Sequence, residues 1–431
     1  MFTHRNRKGL KIAAIAAGAA VMMSLASCSS QPEGDDGDEE IELRMTWWGD
    51  DQRHEVTNAA LDRFEELNPN ITVVRDFSGF DGYLDKITTQ YTGGNSPDVI
   101  QLYNEVLVEF ASRGQLVDLS TQVDAGNLSL DGWPDDLIEV NTVEGALSAL
   151  PFGLSTHGFI FDTTALEALG IEAPSGDYSW DGLAEFAAEV RTASGGSLAG
   201  VTDLSHIYQV FEVWAKQHGE GFLDEDGLAF SADTLESFWQ YWADLRASGG
   251  ATAPDVTSEY QSTPYDAVVA GVAASTYLFT NQYDGVQERT PNVISLERFP
   301  DESEEPGQYL RTAMNLTISA QSKHPEAAAK LVDFLLNDEE ANGILGLNRG
   351  FPGNANVIDA ASADANDNVK KAIAIFESVR ENGSAAPVPA PAGSGNVNTL
   401  FAEVAQQVQF GQLSVEDAVA QFMSQAESEL G

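Results

Sequence analysis

The sequence predicts an α/β fold with two domains, and three observations support this prediction. Short apolar stretches with the two-residue period of strands alternate with longer stretches of helical period between residues 41 and 102. A similar cycle begins again near Pro151. About 390 residues follow residue 40, which is enough chain for two domains of ordinary size. Strands that alternate with helices favour parallel crossovers and a sheet covered on both faces.

The first cycle contains three predicted strands and two predicted helices. Alternating apolar residues predict strands, and apolar residues spaced by three and four positions predict helices. Asn68 and Pro69 are expected to end the first helix. The expected limits are 42–48, 71–74 and 99–102 for the strands, and 55–67 and 83–91 for the helices.

The second cycle is richer in helices. Ser179 is the predicted N-cap of a helix over 180–190, and Trp239 and Trp242 lie on one helical stripe that is expected to face a core. Residues 385–395, rich in Pro, Ala and Gly, predict a surface connector. Strands are expected at 158–161, 272–278 and 316–319, and helices at 206–218, 232–246, 325–336 and twice near the C-terminus, the last from Ser414.

Residues 1–27 have the pattern of a secretory signal peptide. Basic residues without any acid precede an apolar run over 12–23, which is shorter than the ~20 residues that span a bilayer. The tetrapeptide Leu25-Ala26-Ser27-Cys28 resembles a bacterial lipobox, in which the cysteine is lipidated. We therefore expect a lipid anchor at Cys28 on the outer face of a membrane, with ordinary cleavage near Ala26 as the alternative.

The residues after this cysteine are expected to form a flexible linker. Residues 28–40 are polar and acidic and contain Pro32, Gly34 and Gly37, a composition that cannot bury a core. Cys28 is the only cysteine of the chain, so it has no disulfide partner in the same chain. An anchor followed by such a linker suits a protein that must reach a membrane partner.

The net charge excludes some partners. The chain carries a formal charge of −45, and the predicted cleavage removes only bases. Nucleic acid binding depends on Lys and Arg that neutralise phosphates, so this composition argues against a nucleic acid partner. It also disfavours direct docking on anionic lipid.

The sequence lacks the common catalytic signatures. It has no phosphate-binding loop, no dinucleotide-binding glycine motif after a strand, no HExxH motif and no GxSxG elbow. Residues 224–227 (DEDG) resemble part of a calcium loop, but Phe222 stands at the first ligand position, so a turn is expected. We expect a binding protein rather than an enzyme, with neither cofactor nor metal.

Aromatic and amide side chains follow several predicted strands where each strand ends. In open parallel sheets, ligands bind beyond the carboxyl ends of the strands. Aromatic rings pack against the C–H face of a sugar, and amides bond to its hydroxyls. Trp47 and Trp48 point to opposite faces of their strand, so one is expected in the core and the other exposed. The candidates for a neutral polyol or sugar site are Trp48, Tyr103, Asn104, Tyr208, Phe279 and Asn281.

The order and spacing of several segments resemble one protein family. These segments are 44–49, 86–102, 114–116, 118–119, 150–153, 158–162, 179–181, 322–328, 334–335, 348–352 and 411–414. The chain resembles the extracellular solute-binding proteins, family 1, of ATP-driven sugar importers. The resemblance implies a two-lobed, periplasmic-binding-protein-like clamp of type II with hinge crossovers. Lobe 1 would comprise 41–151 with 312–349, and lobe 2 would comprise 152–311 with 350–431.

The resemblance also implies partners and contacts. The partners would be the permease subunits and the ATPase of an ABC transporter. The ligand contacts implied by position are Trp48, Asp50, Ser78, Tyr103, Asn104, Ser155, Tyr208, Phe279, Asn281 and Arg349. Two departures favour a smaller or differently shaped solute: Phe279 stands where many relatives have Trp, and residues 398–401 contain no Trp.

Together these expectations describe a monomeric, membrane-anchored receptor on the extracellular or periplasmic face that captures a sugar or oligosaccharide for import. The acidic composition leaves a second hypothesis open, a binder of a cationic solute such as a polyamine, with Asp50, Asp51, Asp98 and Glu105 near the site. A third hypothesis, of a different class, is an anchored glycosidase.

Overall fold

The computed structural model describes residues 40–224, 226–301, 306–387, 391 and 393–430, except for the side chain of Glu105. The predicted signal peptide, Cys28 and the linker up to residue 39 lie outside these residues. Within the described part of the chain, no helix is long and apolar enough to cross a membrane.

The first third of the chain alternates strands and helices, as predicted. Helix α1 begins four residues earlier than expected because Asp50 caps it, its side chain accepting a hydrogen bond from the Arg53 amide at 2.8 Å. The elements are β1 (Ile41–Trp48), α1 (Asp51–Leu67), β2 (Ile71–Ser78), α2 (Tyr83–Thr92), β3 (Val99–Leu102), α3 (Asn104–Ser112), α4 (Ser120–Asp124), α5 (Asp135–Glu139), β4 (Thr142–Val143), β5 (Ala146–Leu147) and β6 (Leu150–Ser155).

The middle third is mostly helical. The predicted cap at Ser179 is confirmed, since its hydroxyl accepts a hydrogen bond from the Gly182 amide at 2.8 Å. The elements are β7 (His157–Asp162), α6 (Thr163–Leu169), α7 (Trp180–Ala193), α8 (Tyr208–Gln217), β8 (Leu223–Asp224), β9 (Gly227–Leu228), α9 (Ala232–Ser248), α10 (Pro254–Glu259), α11 (Tyr265–Val269), β10 (Ser275–Phe279), α12 (Tyr283–Glu288) and β11 (Ile294–Glu297).

The last third contains one long strand and a run of helices. The strand begins at Arg311 rather than at Leu316, so the prediction missed its first five residues. The elements are β12 (Arg311–Ile318), α13 (Pro325–Asn337), α14 (Glu339–Leu345), α15 (Ile358–Ala361), α16 (Asp367–Asn382), α17 (Ser394–Gln409) and α18 (Val415–Leu430).

The larger sheet has five strands in the order β2-β1-β3-β12-β6. Strands β2 and β3 pair in parallel with β1, and β12 pairs antiparallel with both β3 and β6. The alternation of strands and helices favoured a purely parallel sheet, and this prediction is wrong for β12. This strand enters from the second sheet instead of from a crossover helix on the first, so it runs in the opposite direction.

The second sheet has three strands in the order β10-β7-β11, and both outer strands are antiparallel to β7. Its two faces pack against different cores because side chains alternate along β7. Phe159 and Phe161 belong to a cluster with α7, α8, α9, α17 and α18, which includes the predicted core residues Trp239 and Trp242. Ile160 belongs to a separate cluster with residues of α11, α12, α15 and α16.

The chain passes between the two sheets at three places. A single residue, Thr156, separates β6 from β7, and residues 298–310 connect β11 to β12. After α14, Phe351 forms an isolated bridge with Leu154 of β6 and packs in the cluster of α16. Strand β6 continues through Pro151, the predicted end of the first part of lobe 1, and its residues 152–155 also lie in the larger sheet. The predicted limits of the two lobes stay a prediction.

Candidate functional site

One edge of the larger sheet collects the strand ends on which the predicted site was based. Strands β1, β2 and β3 are parallel and end together at Trp48, Ser78 and Leu102. Strand β6 ends at the same edge, where Ser155 pairs with Arg311 at the start of β12. Six of the ten predicted contact residues stand at this edge or directly after it, namely Trp48, Asp50, Ser78, Tyr103, Asn104 and Ser155.

An open cavity adjoins this edge, and we call it the central cavity. Elements that pack in different hydrophobic cores contribute to its walls. The lining residues are Asn104, Val140, Tyr208, Glu212, Phe222, Leu223, Tyr309, Leu310, Arg311, Thr312, Ala386, Pro387, Ser394 and Asn398.

A buried acid forms part of the wall. Glu212 lies on α8 in a stretch of six consecutive buried residues, and its carboxylate accepts a hydrogen bond from the hydroxyl of Tyr309. Burial raises the pKa of Glu212, and it raises the pKa of Tyr309 well above its usual range. One helical turn after Glu212, Lys216 has its ammonium 5.3 Å from the centre of the Tyr309 ring.

Amide groups supply hydrogen-bonding capacity at two walls. Asn104 begins α3, and its side-chain oxygen lies 3.4 Å from the amide nitrogen of Asn315 on β12. Among the described residues, the side-chain oxygens of Asn315 and Asn398 are buried without a hydrogen-bond partner. Of these two residues, only Asn398 lines the central cavity. A buried acceptor without a partner is costly, so a solute that donates a hydrogen bond to Asn398 would be favoured.

Aromatic rings lie in the wall of the cavity and at the neighbouring edge of the larger sheet. The rings of Tyr208 and Phe222 stack with centres 5.1 Å apart and planes at 24°. On the sheet edge, Trp48 is buried and its ring lies 6.0 Å from Tyr103 and 5.7 Å from Phe80. Phe80 is 57% exposed, so it offers an aromatic surface beside Tyr103. The expected exposure of one of the two tryptophans was wrong, because Trp47 is also buried.

The junction of the two sheets lies under the cavity. Phe279, at the end of β10, pairs with His157, and the guanidinium of Arg311 lies 5.1 Å from the centre of the Phe279 ring. His157 is fully buried among Tyr277, Phe279, Phe299 and Tyr309. Neither of its ring nitrogens has a partner among the described residues, and burial lowers its pKa to about 3. This ring is therefore neutral around pH 7.

Comparison with known families decides the nature of this architecture. The sequence model of the family described as bacterial extracellular solute-binding protein matches residues 50–342, which is more than half of the chain. The chain belongs to this family. A putative binding protein of Brucella abortus is 24% identical to this solute-binding protein over 290 residues, covering 64% of this chain and 67% of the relative.

Solved structures agree with the fold of this solute-binding protein. An extracellular solute-binding protein family 1 from Alicyclobacillus acidocaldarius is 28% identical, with a TM-score of 0.75, and the match covers 92% of this chain and 100% of that one. A periplasmic oligogalacturonide binding protein from Yersinia enterocolitica matches in fold, with a TM-score of 0.77 at 24% identity over 90% of this chain and 100% of that one. The predicted family and fold class are confirmed.

Several predicted contact residues of the solute-binding protein do not line the central cavity. Asp50 caps α1, the Ser78 hydroxyl donates to the Gly79 carbonyl at 2.9 Å, and Ser155 is buried within the sheet. Asn281 is exposed and lines a different hollow together with Phe351. Their assignment as ligand contacts stays a prediction.

Arg349 also lies apart from the central cavity, buried beneath the larger sheet. Its guanidinium donates to the side chains of Gln101 at 3.1 Å and Thr57 at 2.7 Å, and it lies 4.4 Å from the centre of the Phe152 ring. Burial lowers the pKa of Arg349 well below its ordinary value. These contacts describe a cation that holds α1, β3 and β6 together.

The structure adds lining residues that the sequence analysis did not select: Glu212, Tyr309, Arg311 and Asn398. One signal was available for Glu212, because an acid inside the apolar run of α8 is unusual unless it has a partner. Tyr309 and Arg311 were missed because the start of β12 was placed five residues too late. Among the described residues, no group of three or more His, Cys, Asp or Glu side chains could hold a metal ion.

Proposed function

We propose that this protein is the membrane-anchored, substrate-binding receptor of an ABC transporter and captures a sugar or oligosaccharide for import. The observation that carries the proposal is the composition of the central cavity. The rings of Tyr208 and Phe222 stack in its wall, and the amides of Asn104 and Asn398 also line it. Among the described residues, the side-chain oxygen of Asn398 is buried without a hydrogen-bond partner. A ring with one apolar face and several hydroxyls matches both features.

The placement of the lining residues supports a clamp that closes on its solute. Asn104 and Thr312 belong to the elements of the larger sheet, whereas Tyr208 and Asn398 lie on helices of the second core. A solute that bonds to both groups has more contacts when the walls approach each other. Only this difference in affinity between the open and closed forms can drive closure.

The names of relatives support the same class of solute and transporter. One relative, 23% identical over 335 residues, is a putative ABC transporter periplasmic-binding protein of Escherichia coli. Structural neighbours include proteins in complex with digalacturonic acid, cycloalternan and acarbose. By this analogy, permease subunits and an ATPase would receive the solute from the closed form.

Lipid anchoring at Cys28 is part of the proposal and rests on the sequence pattern of residues 1–40. Globomycin treatment of cells that produce the protein would block signal removal from a lipoprotein and leave a larger precursor. Cys28→Ser should release the protein from the membrane fraction. Retention of Cys28→Ser in that fraction would contradict lipid anchoring.

The solute is tested by a thermal-shift screen with mono- and oligosaccharides, including acarbose and digalacturonic acid. A solute that binds only the folded state raises the melting temperature. For any hit, Asn398→Ala should reduce the shift, while Asn396→Ala on the same helix should not. Asn396 is the matched control because it bonds to Glu429 at 2.8 Å on the outer surface.

The same screen separates the two other hypotheses. Glu212 gives the cavity a buried acid, which is the observation that favours a cationic solute, although Lys216 lies one turn away. If a polyamine stabilises the protein and its affinity falls steeply with salt, the hypothesis of a cationic solute is supported over that of a sugar. If the purified protein releases shorter sugars from an oligosaccharide, the glycosidase hypothesis is supported over the receptor hypothesis.

A further inference from the structure

Gln308 is a buried residue between the two sheets. It lies in the segment from β11 to β12, next to the cavity residue Tyr309, and its side chain is 2% exposed. A buried amide must satisfy both its donor and its acceptor within the protein. The partners of Gln308 therefore show which segments depend on it.

The side chain of Gln308 joins the two connections between the sheets. Its amide nitrogen donates to the carbonyl of His157 and lies 3.4 Å from the hydroxyl of Thr156, in the link from β6 to β7. Its amide oxygen accepts a hydrogen bond from the backbone of Phe299 at 3.1 Å, in the connection from β11. One residue thus bonds to both of these crossing segments.

The backbone of Gln308 extends the connection to the cavity wall. Its carbonyl accepts a hydrogen bond from the Ser384 amide at 2.8 Å, and the next residue of that connector, Ala385, accepts from the Lys216 ammonium at 3.2 Å. Ala386 and Pro387 follow directly and line the central cavity. A shift of Gln308 therefore moves the base of this wall.

Thr156 adds a second route to the cavity. Its hydroxyl donates to the carbonyl of Tyr309 at 2.8 Å, and its own carbonyl accepts from the Thr280 amide at 2.9 Å. Tyr309 in turn donates to Glu212 in the cavity wall. The bonds of Thr156 and Gln308 thus form one buried network that reaches two walls of the cavity.

We propose that Gln308 is a positioning residue that couples the angle between the two sheets to the position of the cavity wall at 384–387. This inference rests on the proposed function, because it assigns a role in a clamp that closes on a solute. When the sheets rotate about the crossing segments, the backbone at 156–157 and 308–309 must adjust. Gln308 transmits this adjustment to Ser384, so closure carries Ala386 and Pro387 with it.

The test compares two isosteric variants, Gln308→Glu and Gln287→Glu. Both lose an amide donor that bonds to a backbone carbonyl. Gln287 is the matched control, since it donates to Asn292 at 2.7 Å and accepts from Ile294 at 3.0 Å, all within one region around α12 and β11. Its bonds do not span the two sheets.

The measurement is the distance between nitroxide labels in the full chain without any solute. Cys28→Ser removes the native thiol, and Thr88→Cys on α2 with Glu236→Cys on α9 provides exposed label sites on the two sides. We expect Gln308→Glu to shift or broaden the distance distribution, and Gln287→Glu to leave it as in the parent. Acarbose and digalacturonic acid are then added as probes to the same samples.

The outcomes separate this inference from the proposed function. Identical distributions for Gln308→Glu and the parent, both folded, would make Gln308 an ordinary structural residue and overturn the inference. If Gln308→Glu does not fold, Thr156→Val carries the same test, because it removes the hydroxyl from the network. A second outcome would contradict only the proposed function. If Gln308→Glu shifts the label distances without solute, but no sugar of the screen binds to the parent, the coupling by Gln308 is supported and the sugar-receptor function is contradicted.

Discussion

The hydroxyl of Tyr309, at the junction of the two sheets, donates a hydrogen bond to the carboxylate of Glu212 on α8. Both residues are buried, and both line the central cavity. This contact joins the segment that connects β11 to β12 to the helix that carries Tyr208. A change in the protonation or identity of Glu212 therefore acts on the cavity and on the junction together.

Glu212→Gln should change how stability depends on pH. Burial raises the pKa of Glu212 above its ordinary value of 4.5, so the folded state binds more protons than the unfolded state in the range just above this value. The contribution of Glu212 to stability is fully present below pH 4.5 and is lost as the pH rises through the folded pKa. Urea unfolding at a series of pH values from 4 to 8 should show the stability of Glu212→Gln rising relative to that of the parent as the pH increases.

Glu236→Gln, on the exposed face of α9, is the control for this experiment and should keep the pH profile of the parent. Each unit by which the pKa is raised corresponds to about 1.4 kcal/mol. Equal pH profiles for Glu212→Gln and the parent would show that the carboxyl is not buried as described.

His157→Phe should protect the protein from mild acid. Burial lowers the pKa of His157 from 6.5 to about 3, so between these values the unfolded state binds more protons. The stability contribution of His157 is present above pH 6.5 and is lost as the pH falls toward 3. At about 1.4 kcal/mol per unit, the parent should lose several kcal/mol of unfolding free energy over this range, and His157→Phe should lose less.

The measurement is urea unfolding at several pH values between 7.5 and 4, with His218→Phe as the control at an exposed site. A parent whose stability does not fall in this range would contradict the burial of a neutral imidazole at the junction.

Phe80→Ala should weaken solute binding and leave stability nearly unchanged. Phe80 is 57% exposed and packs beside Trp48 and Tyr103 at the edge of the larger sheet where Asn104 begins α3. Loss of one stacking ring costs about 0.5–1.5 kcal/mol, which is about twofold to tenfold in the dissociation constant. Calorimetric titration of the sugar found in the thermal-shift screen measures this change.

Phe77→Ala is the matched control, because Phe77 is 41% exposed but packs on His54 and Trp47, on the opposite face of β1. Equal affinities for Phe80→Ala and the parent would show that Phe80 does not contact the solute.

Arg349→Ala should destabilise the protein. The substitution leaves the acceptors of Gln101 and Thr57 without their donor and uncovers the Phe152 ring, which together predict a loss of about 2–4 kcal/mol. Arg349→Met should recover part of the loss, since its side chain still covers the ring. Urea unfolding tests both variants. Unchanged stability with abolished solute binding would instead make Arg349 a direct ligand contact, as the family resemblance implied.

The regular elements were predictable because their signals are local. The periodicity of residues 41–102 gave the order of strands and helices, and the helix over residues 180–190 was found from Ser179 and its apolar face. The direction of β12 was not predictable, because a strand's direction depends on where the chain enters the sheet, and that entry follows from the distant junction at Thr156.

The site was harder to predict than the fold. Strand ends pointed to Asn104, which lines the central cavity, because parallel strands finish at a common edge. The assignment of Tyr103 as a ligand contact stays a prediction. Asn398 reaches the cavity from the C-terminal helix pair, through packing of α17 on α8, and no neighbouring residue in the sequence indicates this. The apolar run around Glu212 indicated that this acid has a partner, but the sequence did not indicate which one, because Tyr309 is 97 residues away.

The single residue between β6 and β7 restricts where the length of this chain can change. An extra residue at Thr156 would move β7 by one position and exchange its two faces, so that Phe159 and Phe161 would turn away from α7 and α8. In a library of one-residue insertions, we therefore expect no folded variants with an insertion at Thr156. The stretch of residues 170–178 between α6 and α7 contains no strand or helix, and insertions there should survive in large numbers.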